Sequence, residues 1–549
     1  MGADGRLMPA PSGDVYQVNL AEKILVTLLS KIANFIPDTG IWMNTQRPEW
    51  NDANNALVGT GVSVVTLCYL HRFLNKAVPL FSELEQDSVQ LSDEVAAFMS
   101  DVASVLEAHQ GSIGKGPVSD AVRKEVMEAL GTAAERYRQG IYDRGFSASK
   151  KSVSLASVVD CLSRARDISA VSIRSNRRQD GLYHAYNRIA VRDDGVEIKY
   201  LYEMLEGQVA VLSSELLEAD ESLALLKTLR ASSLYTARQH SYLLYPNRQL
   251  PSFMARNLVP GEFVKSSTLM TKLVAAGNTD LIEVDGSGQA FFAGKFNNTA
   301  SVAAALTSLA EDGFAEDVST ERAAIETLFS DLFDCANFTG RSGGMYAYEG
   351  LGSIYWHMVS KLLLAVMETV KQAEEAGASA EVLAGLQAAY YDVREGIGFN
   401  KTPDVYGAFP TDPYSHTPGF AGARQPGMTG QVKEEVLTRL LELGVEVADA
   451  RVSFKPSVLR RSESLGSSAT LRYFDTAGAS QSVALEAGEL GFTYCQVPVV
   501  MALADSPSIT LHTADGATES VAGSVLTAEQ SEALFKKTCL LYTSPSPRD

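Results

Sequence analysis

Apolar residues recur at spacings of three and four along most of this chain, and that periodicity constrains the fold more than any other feature. Asn19–Ile36 (NLAEKILVTLLSKIANFI) carries it after a Pro/Gly-rich lead-in, the pattern of an amphipathic helix. The same period returns over 56–74, 80–108, 119–138, 153–167, 200–217, 222–234, 300–309, 321–333, 351–376 and 380–395, so helix follows helix. Two stretches break the plan. In Asp280–Lys295 two short apolar runs flank a Gly-Ser-Gly turn, which predicts a β-hairpin inserted near 280–296. From about Val445, segments such as ATLRYFDTAG, QSVALEAG and LGFTYCQVPVV alternate apolar and polar residues between turns, which predicts a small antiparallel β domain over 445–525.

Paired helices without a fixed-period repeat leave two architectures, an open solenoid or αα-hairpins closed into a ring. Long polar and aromatic loops at 176–187 and 402–429 favour the ring, which gathers its loops over one funnel. The expected fold is therefore mainly α: an (α/α) toroid over 1–444 followed by the β domain, with a tail over 526–549. The end of that tail, Thr538–Asp549 (TCLLYTSPSPRD), continues no pattern, is similar to translated adapter sequence, and is read as non-native.

Composition narrows the function. Hydrophobic residues make up 46% and charged residues 21%, ordinary globular usage. A formal charge of −19 opposes a phosphate backbone, so no nucleic acid is expected as a partner. Neutral sugars place no demand on net charge, and 21 Tyr and 21 Phe supply rings to hold them. Five cysteines without metal-ligand spacing and seven dispersed histidines predict neither a disulfide framework nor a metal site. There is no apolar leader and no run of about 18 apolar residues for a membrane span, so the chain reads as soluble and cytoplasmic, with no membrane partner. The composition leaves the oligomeric state open.

The densest polar cluster is Asn44–Gly59, NTQRPEWNDANNALVG, with Arg47, Glu49, Trp50, Asn51, Asp52 and Asn55 just before an apolar helix. Asp52 or Asn51 as a helix cap is one reading, but a cap uses one side chain and this cluster holds many. The segment resembles the cellobiose phosphorylase family and its clan of six-hairpin, α/α-toroid glycosidases, in which an aspartate in a Trp-Asn-Asp motif is the general acid. Glu49-Trp50-Asn51-Asp52 with Asn55 and Gly59 matches that motif. The resemblance implies that Asp52 protonates the departing glycosidic oxygen, that Trp50 borders the sugar, and that Glu49, with Arg47, Asn51 and Asn55, contacts it. In that family a β-sandwich and the first ring helices precede the motif, whereas here it lies about fifty residues from the start; the chain is expected to be an N-terminally truncated fragment.

Cleavage with inversion needs a second group, either a carboxylate that activates water or a site that holds phosphate. Asp404–Glu435 carries candidates for both. Tyr414, His416, Arg424, Gln425 and Thr429 compose a binding loop, and Gly427–Gly430 before a helix offers backbone N–H groups to an anion. Glu434 and Glu435 begin that helix; they supply a base, or simply suit the helix dipole. Tyr348 and Glu349 in the Gly-rich stretch Arg341–His357, and Tyr183 and His184 in DGLYHAYN, complete the set as sugar contacts. The function expected is cleavage of glycosidic bonds in an oligosaccharide or glycoside by a hydrolase or a phosphorylase, the latter with inorganic phosphate as co-substrate and neither with a cofactor. A non-catalytic carbohydrate-binding or scaffold protein is the alternative.

Overall fold

The computed structural model describes residues 7–44, 57, 59–247, 251–333, 352, 354–397, 401–402, 405, 416–417, 431–475, 477–513, 517–536 and 539–544. Nearly half of these are helical, and strands are interleaved with the helices throughout, so the fold is more mixed than the mainly α expectation. The chain divides into two units.

The first unit runs to Met358 and takes in the short stretches at 401–402 and 416–417. Its helix Leu155–Ser175 packs against both Val64–Ser82 and Asp93–Ile113, and Leu67, Cys68, Val102, Cys161 and Leu162 on these helices are buried. The long helix expected over 80–108 is split. Val64–Ser82 ends after Pro79, and Ser88–Ser92 is a strand paired antiparallel with Lys150–Ser154 before the next helix starts at Asp93. Ser-Val-Gln-Leu-Ser has a period of two, burying Val89 and Leu91 while exposing Gln90; a helix has no use for that pattern.

A five-stranded sheet organises the other side of this unit, in the order Phe35–Ile36, Gly40–Trp42, Gly61–Ser63, Tyr186–Val191, Val196–Tyr200. All neighbours are antiparallel. The tight turn between its first two strands places Asp38 at φ +62, a left-handed conformation that a non-glycine residue adopts only when held there. The Asp38 carboxylate accepts from the Val118 amide at 2.8 Å and from Ser175 Oγ at 3.1 Å, and buried Arg123 lies 3.5 Å away.

Residues 258–333 form a module of their own. Ala290–Phe292 is the middle strand of three, flanked by Leu258–Val259 and Ile282–Val284. Helices Thr268–Ala276, Thr299–Leu309 and Ala315–Phe333 cover it, and its core includes Leu269, Leu273, Phe292, Leu306, Ile325 and Phe329.

The second unit holds the helices Ala380–Glu395 and Gln431–Glu442 and most of the helix Trp356–Glu375. It then becomes all but entirely β. Strands Glu489–Tyr494, Val497–Ala502, Cys539–Ser544, Ser508–Thr513 and Thr518–Ala522 lie side by side in that order. The sequence pattern gave Cys539–Ser544 no role, yet its backbone fills the centre of this sheet, parallel to Val497–Ala502 and antiparallel to Ser508–Thr513.

Candidate functional site

The sheet in the first unit decides where the Trp-Asn-Asp segment is anchored. Gly40–Trp42 and Gly61–Ser63 are adjacent and antiparallel, with Ile41 opposite Ser63 and Trp42 opposite Val62. The segment between them thus leaves and rejoins the sheet at one end of this β-ladder. Its neck is closed by backbone bonds: the Met43 amide donates to Gly61 O at 2.9 Å, and the Gly59 amide donates to Met43 O at 2.8 Å. Two side chains reinforce it, with Trp42 Nε1 donating to Gly59 O at 3.1 Å and Asn44 Nδ2 donating to Asn34 Oδ1 at 2.6 Å. Arg47, Glu49, Trp50, Asn51, Asp52 and Asn55 themselves lie outside the described residues.

Glycine is required at this neck. A Cβ on Gly40, at φ +142, would stand 2.5 Å from Ser63 O. One on Gly61 would stand 2.4 Å from Leu57 Cβ.

The stretch with Tyr183 and His184 buttresses the same ladder. Tyr186–Val191 pairs with Gly61–Ser63, and Val64 at the start of the following helix donates to Ala185 O at 3.0 Å. Both candidate side chains are buried. The Tyr183 amide donates to Gln208 Oε1 at 2.8 Å, and Gln208 Nε2 donates to Tyr183 O at 2.8 Å. His184 Nδ1 lies 3.1 Å from Leu201 O, which accepts from it, and the ring stacks on Tyr200 at 4.6 Å. Burial, helped by the positive charge of Arg178, pulls the His184 imidazole down to about 4, so it is neutral near neutral pH.

Two of the remaining candidate segments are joined to each other. Ile354–Tyr355 pairs antiparallel with His416–Thr417, Tyr355 opposite His416, so the Gly-rich stretch ending at His357 and the loop containing His416 meet in a two-stranded ladder. Tyr348, Glu349, Tyr414, Arg424, Gln425 and Thr429 lie outside the described residues, and of His416 only the backbone is described.

A side chain that the sequence pattern does not single out ties this region to the rest of the first unit. Lys401 Nζ donates to Gln239 O and, at 3.3 Å, to His240 O, and it lies 5.7 Å from the centre of the buried Trp356 ring. Burial lowers its ammonium to about 8. The contacts then run on without a gap. Gln239 and His240 belong to the turn between the paired strands Tyr235–Thr236 and Ser241–Tyr242, and just beyond it Leu244 O accepts from the Leu205 amide at 3.1 Å, at the head of the helix that carries Gln208. The neck of the Asp52 loop, the Tyr183 stretch, Trp356 and the backbone of His416 are so connected within one unit. The signal for Lys401 was its place immediately before the aromatic, Gly-rich loop; a lone lysine without periodicity carries no more than that.

Glu434 and Glu435 lie in the second unit, Glu434 in the first turn of Gln431–Glu442 and Glu435 directly after it. Glu434 is buried, with Lys361 Nζ 3.6 Å from its Oε1. Glu435 is exposed; desolvation by the surrounding chain and then the Glu434 charge raise its carboxyl. Farther along, Glu442 anchors the helix: it takes Arg394 Nε at 3.0 Å, Arg439 Nη1 at 2.5 Å and the Tyr390 hydroxyl.

Among the described residues no group of three or more His, Cys, Asp or Glu side chains is arranged to hold a metal ion, and no helix is long and apolar enough to cross a membrane. The module inserted between the first unit's strands and the Gly-rich stretch has a known counterpart. Residues 250–336 match the family model of GH149 phosphorylase insertion domain 2. The matched range brackets the self-contained core from Val259 to Phe333. No curated protein matches the chain. The GH149-like module supports a glycoside phosphorylase family.

Proposed function

We propose that this chain is the catalytic part of an inverting glycoside phosphorylase, built on an α/α ring of helices, with Asp52 as the general acid. The observation that carries this reading is the GH149 phosphorylase insertion module at 250–336, in a chain that also contains Trp50-Asn51-Asp52. In this reaction the C1–O bond of the substrate breaks, and its electron pair goes to the leaving oxygen, which takes the proton of Asp52. An oxygen of inorganic phosphate supplies the pair for the new bond on the opposite face of C1. The product is a sugar 1-phosphate.

Arg424, His416 and the N–H groups of Gly427–Gly430 are the groups suited to phosphate, combining positive charge with a helix start. Support comes from the pairing of the His416 strand with Ile354–Tyr355, which joins this loop to the one that carries Tyr348 and Glu349. Arg47, Glu49, Trp50, Asn51 and Asn55, with Tyr414, Gln425 and Thr429, are assigned to the sugar. The burial of Tyr183 and His184 suits support beneath the site better than direct contact. Phosphate as nucleophile needs no carboxylate base, and Glu434 beside Lys361 suits a structural role at the helix start. Glu434 or Glu435 as a water-activating base belongs to the hydrolase reading.

The test is turnover of α- and β-linked di- and oligosaccharides with and without phosphate, comparing the chain and its full-length parent with Asp52→Asn. Phosphate-dependent sugar 1-phosphate that disappears in Asp52→Asn is expected. Free sugar released without phosphate would replace this reading with a hydrolase, and no turnover in either form would leave a carbohydrate-binding scaffold.

A further inference from the structure

A cavity of about 350 Å³ opens between the hairpin Phe35–Trp42 and the helix Asp120–Arg144, beside the neck of the Asp52 loop. That volume falls in the range of small-ligand pockets. On the helix side, Gly131 and the exposed Glu135 and Arg138 line it at spacings of three and four, which puts them on one helix face. A Cβ on Gly131 would meet nothing within 4 Å, so packing does not demand the glycine; it leaves the hollow open. Half-buried Trp42 and the paired amides of Asn34 and Asn44 line the other side. These groups are already oriented. The indole is held by its bond to Gly59 O, and Asn44 is held by Asn34.

The mixture of groups selects the ligand. An anion would face Glu135 and a cation would face Arg138, and a wholly apolar molecule would cover amides, a carboxylate and a guanidinium without satisfying them. A sugar ring has an apolar face to lie against an indole and a rim of hydroxyls that both donate to carboxylate and amide oxygens and accept from guanidinium and amide nitrogens. We propose that this cavity is a saccharide subsite, holding one unit of a neutral oligosaccharide other than the unit attacked by phosphate. The choice of an oligosaccharide rests on the phosphorylase reading. The place of the subsite rests on the loop neck, since Trp42 is bonded to the same Gly59 that closes it.

Titration of the full chain with α- and β-linked gluco-tetrasaccharides, by calorimetry and by tryptophan emission, tests the proposal alongside the turnover assay. Glu135→Gln/Arg138→Gln changes only exposed side chains and is expected to weaken tetrasaccharide binding about tenfold, the loss of one or two charge-assisted hydrogen bonds. Trp42→Leu is expected to reduce the emission change that accompanies binding, leaving the part contributed by Trp50. Unchanged affinity in the double variant, or no binding of any tetrasaccharide by the unmodified chain, would overturn the subsite. Phosphate-dependent turnover combined with unchanged affinity leaves the phosphorylase reading intact and removes the subsite. Binding that is lost in the double variant, without phosphate-dependent turnover in the unmodified chain or its parent, does the reverse.

Discussion

The Gly59 amide donates to the Met43 carbonyl at 2.8 Å, closing at its neck the loop that carries Asp52. A residue that protonates a leaving group must be held within a fraction of an ångström of its working position. On the proposed reading, that demand falls on the β-ladder from which the Asp52 segment departs: Gly40–Trp42 enters, Gly61–Ser63 leaves, and Tyr186–Val191 braces the exit.

Gly61→Ala therefore harms both stability and turnover. The new Cβ would meet Leu57 Cβ at 2.4 Å and Leu57 O at 2.7 Å, and Leu57 is fully buried, so the neck must shift. Overpacking of this kind costs about 1–3 kcal/mol. Thermal unfolding should move down accordingly, and turnover should fall by more than the fraction unfolded at the assay temperature accounts for. Unchanged melting and unchanged turnover would show that the neck does not position Asp52.

The environment of His184 gives the first unit a pH dependence of defined sign. Its imidazole titrates near 4 in the folded chain against 6.5 ordinarily, so below pH 6.5 the unfolded chain binds a proton that the folded chain refuses. Stability is complete above that value and falls as pH drops from 6.5 towards 4, by about 3 kcal/mol in total. Denaturant midpoints measured across this window should decline. In His184→Gln the decline should be shallower by that amount; an identical slope in both proteins would mean that His184 is not the group responsible.

Helix placement was legible where the apolar stripe is long and uninterrupted. The stripe over 380–395 is the helix Ala380–Glu395, started by Ser379 accepting from the Val382 amide, and that over 119–138 is Asp120–Arg144, capped by Ser119. The break at Ser88–Ser92 was hidden because an apolar residue at every second position for five residues also satisfies part of a helical pattern. The five-stranded sheet escaped because its strands are two to six residues long and gain their stability from partners far away in sequence, such as Gly61 with Arg188. The pattern at Asp280–Lys295 disclosed two strands of the inserted module, but not its third strand, Leu258–Val259, which is too short to show a period. As for the site, the carboxylate, amide and indole clustered around Asp52, which lie outside the described residues, stand out in a sequence by residue type alone. The carbonyl pair that receives Lys401 does not, because any residue can supply a backbone oxygen.

In the second unit the helix Gln431–Glu442 is fixed by the Glu442 carboxylate, which is buried and shared among Arg394, Arg439 and Tyr390. Removing its charge takes the buried carboxylate away from two partly exposed guanidinium groups, although Glu463 continues to take Arg439 at 2.7 Å and lies 3.5 Å from Arg394. Breaking a buried pair from one side costs about 3–5 kcal/mol, and the remaining Glu463 contact puts Glu442→Gln at the lower end. Tyr390→Phe, which deletes one donor, should cost about 1–2 kcal/mol. Urea midpoints of the two variants should fall in that order, and equal midpoints would mean that the tyrosine, not the arginines, carries the network.

The inserted module is expected to unfold by itself. Its buried core, from Val259 to Phe333, is made of residues inside the range that matches the GH149 insertion domain. Phe329 is its centre: fully buried, it meets Phe292 edge-on at 5.1 Å, Phe296 at 6.2 Å and Phe333 at 4.8 Å. Truncating a buried phenylalanine to alanine costs about 3–5 kcal/mol through lost burial and the cavity left behind. A contiguous core of this size opens as one cooperative piece, so Phe329→Ala should raise amide hydrogen exchange across 258–333 while the helices Val64–Ser82 and Leu155–Ser175 keep their protection. If protection in those two helices falls in step with the module, the core does not close within the insertion and the module is an integral part of the first unit's fold.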